Sequence, residues 1–381
     1  MATKTSRVHP QNAKVSANQT RYCSNPARKP RQLDSNISGE RAKLILSNST
    51  KWVNGTTLHY YFFNRASDGD YIELENGKQA WRPWKGTPRQ QAVVRKAFKA
   101  WKDLGIGLRF MEVKKREDAE IRIGFMEDDG SWSYVGRDIL DQDVDDRTMN
   151  FGWDIAVPDQ HNGIGTAIHE IGHTLGLQHE HQNPFAGIVW NEAAVYESLA
   201  APPNNWDRET TFHNIIAKLD KKEVDGSTWD PDSIMHYPFE AGLIKKPVEY
   251  ANGLYPPGNL SPKDAATVLK FYPAKDPVKD VFLKEKVPHE IVVKNEEQQN
   301  FFFKPVVTKY YTIETMGKLD TVMVLSEQLP AKKLLYLSGD DNGGTDNNAL
   351  IRIKLFRNKT YVINLRVYYK DKKAKASLLI S

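Results

Sequence analysis

Residues 168–181 read Ile-His-Glu-Ile-Gly-His-Thr-Leu-Gly-Leu-Gln-His-Glu-His, with the spacing His169-Glu170-x-x-His173-x-x-Gly176-x-x-His179. His169 and His173 are four apart, so a helix puts both rings on one face, where they can present two nitrogens to one ion about 2 Å away. A third ligand must come from outside the helix, because a continued helix would carry His179 off that face. Gly176 can take the left-handed conformation that ends the helix and turns the chain back. His179 then completes a three-nitrogen site with an open fourth position, which is the arrangement of a catalytic rather than a structural zinc. Glu170 stands beside His169, where it could serve as a general base toward water.

Two other readings of this segment are weaker. A chance match needs five fixed positions, and a random chain of this length would show them on the order of once in ten thousand sequences. A purely structural zinc site usually has four protein ligands, often thiolates, and Cys23 is the chain's single cysteine. His161 and His181 flank the motif but fall outside its spacing, and they read as solvated or supporting residues.

The segment resembles the metzincin clan and, within it, the astacin-like peptidases, in which the residue after the third histidine is a glutamate, here Glu180. Ser233-Ile234-Met235-His236-Tyr237 is similar to the astacin Met-turn. Leu260-Ser261-Pro262-Lys263-Asp264 is similar to the segment that opens the last catalytic-domain helix, and Gly130–Gly136 to the stretch leading into the substrate-lining edge strand. The matches run in family order over roughly residues 52–274. This resemblance implies that Met235 lies as an apolar floor beneath the imidazoles and that Tyr237 approaches the metal and assists the oxyanion; an ordinary packed tyrosine is the alternative for Tyr237. It also implies that Glu180 pairs with a freshly cleaved N-terminal amine. Here the amine belongs to Met1, so either residues 1 to about 50 are removed or Glu180 has another partner. With one cysteine, the disulfides of animal astacins are impossible.

Charge is segregated along the chain. Residues 1–50 carry 9 Lys+Arg against 2 Asp+Glu, residues 51–274 carry 25 against 33, and residues 275–381 carry 19 against 13. The basic flanks could meet polyanions, but no nucleic-acid motif accompanies them, and solvated lysines such as the Lys370-Asp371-Lys372-Lys373 run account for them. Residues 1 to about 45 are polar until Leu44-Ile45-Leu46 and read as a basic extension or pro-segment. Within it, Cys23 is a candidate latency thiol that could fill the fourth zinc position, as the cysteine switch does in matrixins; a free thiol is the plainer alternative. No stretch is long and apolar enough for a membrane span, and the N-terminus lacks the apolar run of a secretory signal. Extracellular location is therefore an expectation from the resemblance alone.

The pattern predicts an α+β catalytic domain over 51–275 followed by an all-β sandwich over 285–381. Thr87 and Pro88 open a helix over 88–104 with Val94, Ala97, Phe98, Trp101 and Leu104 on its apolar face. Leu58–Phe63, Leu108–Phe110, Ile121–Phe125 and Met149–Phe151 read as strands, and residues 192–229 as irregular and helical. Beyond residue 285, strands are expected at 301–303, 310–313, 321–325, 334–337, 351–355 and 361–367. Tyr311-Thr312-Ile313-Glu314-Thr315 through Asp320-Thr321, followed by Gly339-Asp340-Asp341-Asn342-Gly343-Gly344 and Tyr361-Val362-Ile363, resembles the pre-peptidase C-terminal domains of secreted bacterial proteases, and the resemblance implies a domain that could bind matrix or cell surface. Asp340, Asp341 and Asp346 are candidate Ca2+ ligands, with a plain acidic turn as the alternative. Together these features predict a zinc (Zn2+) endopeptidase acting on protein or peptide substrates. A non-catalytic binding protein on the same scaffold stays open, although the presence of Glu170 argues against it, and so does a narrowly targeted toxin or processing enzyme.

Overall fold

A computed structural model describes residues 20–26, 50–52, 54–74, 77–127, 129–157, 163–221, 228–274, 281–291, 298–330, 334–345, 348–369 and 376–381. Leu44–Leu46, His161, Asp346 and Lys370–Lys373 lie outside the described residues. The described residues fall into two units, one within 1–31, 60–104 and 112–267, the other within 32–59, 105–111 and 268–381.

Strand β1 (Thr57–Phe62) is buried at every position, as a run of aromatic and apolar residues covered on both faces must be. The hairpin β2 (Gly69–Glu73) and β3 (Gln79–Pro83) follows. Helix α1 (Pro88–Asp103) starts where expected: Thr87 Oγ1 accepts from Gln90 N and Gln90 Oε1 accepts from Thr87 N, a reciprocal cap with proline in the first turn. Its buried face holds Val94, Ala97, Phe98 and Trp101, while Leu104 lies one residue past the helix and is only half-buried. Strands β4 (Arg109–Glu112), β5 (Ile121–Gly124), β6 (Trp132–Ser133) and β7 (Met149–Asn150) complete a mixed sheet of order β4-β1-β5-β7-β6. β5 runs parallel to β1 and β7, and β6 runs antiparallel on the edge, as the Gly130–Gly136 segment predicted.

One strand departs from simple alternation. Arg122 sits in the middle of β5 yet is buried, and its guanidinium donates to the carbonyls of Ala119, Glu120, Gln142, Asp143 and Asp146. Five donors matched to main-chain acceptors compensate the burial of the charge and fasten residues 142–146 beside the sheet.

Helix α2 (Gly163–Thr174) carries the histidine motif, and α1 packs on it, with Trp101 Nε1 donating to Ile168 O at 2.9 Å. Beyond α2 come the strand pair β8 (Val189–Trp190) and β9 (Ile244–Lys246), with α3 (Glu192–Ala200), α4 (Arg208–Thr211) and α5 (Pro262–Phe271). None of the helices among the described residues is long and apolar enough to cross a membrane.

The second unit contains two facing sheets, β10-β12-β17-β14-β15 and β11-β18-β13-β16. Their strands are β10 (Val281–Phe282), β11 (His289–Glu290), β12 (Gln298–Phe303), β13 (Lys309–Gly317), β14 (Asp320–Gln328), β15 (Leu334–Asp340), β16 (Leu350–Leu355), β17 (Thr360–Tyr369) and β18 (Ala376–Ile380). The core between them is built from alternating inward residues: Tyr311 and Ile313 of β13, Ile363 and Leu365 of β17, and Leu378 and Ile380 of β18. Two of its three unpredicted strands, β10 and β11, are two residues long.

Leu378 is fully buried and the sandwich closes on it. Leu378→Ala should lower the stability of this unit by about 2–5 kcal/mol, the usual cost of emptying a packed leucine site, read as the shift of its unfolding transition in urea. A loss below about 1 kcal/mol would mean that β18 does not seal the core.

Candidate active site

Helix α2 ends as Gly176 allows. With φ of +88°, Gly176 closes a Schellman turn in which its N–H donates to His173 O (2.8 Å) and Leu177 N–H to Gly172 O (3.1 Å). The turn also brings Leu177 O against His173 Nδ1 at 2.8 Å. His169 Nδ1 meets Ile234 O at 2.7 Å, and His179 Nδ1 meets Gln182 Oε1 at 3.3 Å. Gln182 spends its amide donors on His213 O and Ala217 O, so its oxygen is left to accept. A carbonyl can only accept, so each Nδ1 carries the hydrogen and each Nε2 is a bare lone pair.

Those lone pairs converge. His173 Nε2 lies 3.1 Å from His169 Nε2 and 3.1 Å from His179 Nε2. Burial pushes His169 down to about 4 and holds His173 and His179 well below the usual histidine range, so the trio is neutral. Neutral acceptors at that separation repel one another unless a cation lies between them. A tetrahedral ion with bonds of about 2.0–2.1 Å spaces its ligands by roughly 3.3–3.4 Å, close to what is observed. Cys23 Sγ joins the cluster: one ligand atom from each of Cys23, His169, His173 and His179 lies within 4.8 Å of the other three, all buried. Imidazole and thiolate are the donor types zinc takes, and Glu170 Oε1 is buried beside them with no hydrogen-bond partner. The residues fit a zinc ion.

Glu170 Oε2 accepts from the Cys23 thiol at 3.5 Å, and burial pushes Glu170 up to about 8. Burial, then the charge of Glu170, raises the Cys23 thiol. The Tyr237 hydroxyl lies 2.6 Å from both Cys23 O and His179 Nε2, two acceptors that compete for its one hydrogen. Met235 is buried, and its sulfur lies under α2 so closely that a Cβ on Gly172 would meet Sδ at 2.4 Å.

The Met-turn is fastened from α5. Asp264 accepts from Ser233 Oγ (2.6 Å), Ile234 N (2.8 Å) and Ser261 N (2.9 Å), while Ser261 Oγ accepts from Asp264 N. One carboxylate thus caps a helix and sets the carbonyl that orients His169. Glu180 Oε1 accepts from Asn183 Nδ2 and Asp230 N. His181 stacks behind His179 with its Nε2 on Asn214 O, and His236 turns its Nδ1 to Tyr237 O; neither points into the cluster. Asp340 accepts from Gly343 N and Leu350 N as a turn-closing carboxylate. Among the described residues it joins no metal-holding group, so the calcium expectation gains no support.

Sequence reasoning missed Gly172, Gln182 and Asp264. The Ser261-x-x-Asp264 pair carried a helix-cap signal, but nothing in the pattern pointed to its second role under His169.

Residues 84–246 match the Astacin peptidase family. This segment resembles an astacin peptidase domain. Bone morphogenetic protein 1 of Xenopus laevis is 27% identical over 195 residues, 48% of this chain but 24% of that protein. The chain thus spans about a quarter of that curated relative. The solved structure of myroilysin is 28% identical, with a TM-score of 0.49, and covers 60% of this chain and 98% of its own. A pre-peptidase C-terminal domain of Bacillus anthracis collagenase is 14% identical, with a TM-score of 0.23 over 28% of this chain.

In the astacin-like domain, Gly172 permits the close approach of helix and Met-turn. Gly172→Ala should cost about 1–3 kcal/mol through overpacking and displace Met235. Lower thermal stability together with reduced zinc retention on dialysis is the expected result; unchanged values for both would show that the contact is slack.

Proposed function

We propose that the protein is a zinc endopeptidase whose catalytic domain spans residues 51–275 and whose accessory sandwich spans 285–381. The convergence of three Nε2 lone pairs next to the buried carboxyl of Glu170 carries this reading. His169, His173 and His179 would hold the zinc, which when bound supplies Lewis acidity to the scissile carbonyl and lowers the pKa of a water molecule. Glu170 takes the proton from the attacking water and passes it to the departing amine; burial, which brings its pKa toward neutrality, suits it to both directions of transfer. Tyr237 donates its hydroxyl hydrogen to the carbonyl oxygen as negative charge builds there. Met235 supports the imidazoles from below. Protein or peptide substrates, action outside the cell, and a matrix or surface ligand for the sandwich belong to the same reading.

Latency follows from the segment around Cys23. The thiol faces both Glu170 and His173 (3.5 and 3.7 Å), and the Cys23 carbonyl engages the Tyr237 hydroxyl. One residue therefore engages Glu170, His173 and Tyr237, three of the groups that the proposed catalysis uses, which supports a role for Cys23 as the fourth zinc ligand of a zymogen. Glu180, satisfied by Asn183 and Asp230, is suited to receive an N-terminal amine on processing, because burial holds its pKa up at about 7 and a new positive charge would relieve that cost.

Glu170→Gln should reduce cleavage of a quenched peptide by about 10²–10⁴-fold while bound zinc stays at one per chain; unchanged turnover would overturn the mechanism. Cys23→Ala in the full chain should raise activity at least about tenfold if nine chains in ten are closed. Equal activity of the two chains would dismiss latency through Cys23.

A further inference from the structure

The strap that brings Cys23 to the imidazoles also places its neighbour. Tyr22 is 4% exposed, and its ring lies in a pocket walled by aromatic side chains. It stacks on Phe239 (5.8 Å between centroids, 27°), meets Tyr237 edge-on (5.2 Å) and leans on Trp206 (6.2 Å). Tyr237 is a wall of both the pocket and the site, since its hydroxyl reaches Cys23 O. The pocket is thus one residue along the chain from the position that faces the imidazoles.

The strap's main chain is held without regard to side chains. Asn204 makes a two-bond pairing with it, Oδ1 accepting from Tyr22 N (3.1 Å) and Nδ2 donating to Thr20 O (2.9 Å). On the other side of Cys23, Ser24 N donates to Ser131 O at 3.1 Å, next to edge strand β6. Any extended peptide can make such bonds, as in strand addition to a sheet edge, so discrimination falls to the pockets. At the mouth stands Glu240, exposed, accepting from Thr20 Oγ1 (3.2 Å) and Tyr255 OH (2.7 Å).

We infer that the Tyr22 pocket is the specificity subsite of the peptidase, and that it selects peptides with an aromatic side chain, tyrosine or phenylalanine, directly beside the cleaved bond. The inference rests on the peptidase reading. Ring faces and edges of Phe239, Tyr237 and Trp206 offer a flat guest tilted and stacked contacts that an aliphatic chain cannot match. The Tyr22 hydroxyl is held by Thr20 of the strap and lies within the field of Glu240, so a guest tyrosine would find a polar group at that end. Removal of residue 22 from the pocket frees it for substrate, so the strap is an occupant bound in the manner of the substrate it excludes.

The test uses the full chain carrying Tyr22→Ala and Cys23→Ala, with zinc, acting on a proteome-derived peptide library whose cleavage sites are mapped by mass spectrometry. Aromatic residues should be enriched on the order of tenfold at one of the two positions flanking the cleaved bond, the scale on which a filled apolar pocket discriminates. Adding Trp206→Ala should lower the ratio of kcat/KM for a tyrosine peptide over its alanine analogue by roughly tenfold. If that third substitution prevents folding, the library result decides alone. Cleavage without aromatic enrichment, or with basic residues drawn by Glu240, would overturn this inference and leave the peptidase standing. Absence of any cleavage would overturn both.

Discussion

Three imidazole lone pairs forced toward one point are the interaction on which the rest of the site depends. Each ring is fixed by the hydrogen bond of its other nitrogen, to Ile234 O, Leu177 O and Gln182 Oε1, and those acceptors come from three different places in the chain. Burial keeps the rings neutral, so their mutual repulsion is relieved only by a positive charge at the focus. A dication there would also favour ionisation of Glu170 and Cys23, the two groups that burial otherwise holds protonated. Metal affinity and the protonation of the site are in this way linked.

The supports are shared rather than separate. Asp264 caps α5 and holds the Met-turn, whose Ile234 carbonyl orients His169. Gly172 admits Met235 beneath the helix. Glu180 N donates to Met235 O, tying the residue after the third histidine to the same turn. A change in any of these would reach the imidazoles through one or two contacts, which is how a site on loops acquires the rigidity that metal binding and proton transfer require.

Much of this was legible in the chain because its signals are local. The i, i+4 histidines, the glycine at the helix end and the Thr87-Pro88 cap each depend on residues a few positions apart. The strands from 298 to 369 were legible for the same reason, through alternation bounded by turns. The remainder depended on distant partners. Arg122 lies in a run, Ile-Arg-Ile, that reads as one face buried and one exposed, yet the carbonyls of Gln142, Asp143 and Asp146 from another segment, with the nearby ones of Ala119 and Glu120, make its burial tolerable. Strand β18, Ala-Ser-Leu-Leu-Ile, follows a lysine-rich stretch and hides as a tail until β13 and β11 are seen beside it. The Tyr22 pocket could not be read at all, because Tyr237 and Phe239 lie more than two hundred residues away from the ring they enclose.

X-ray absorption at the zinc edge of the purified full chain addresses the central claim most directly. The account predicts three nitrogen scatterers at about 2.0–2.1 Å with the outer-shell signature of imidazole, and one sulfur at about 2.3 Å. A chain that takes up no zinc, or zinc whose shell lacks imidazole, would contradict it.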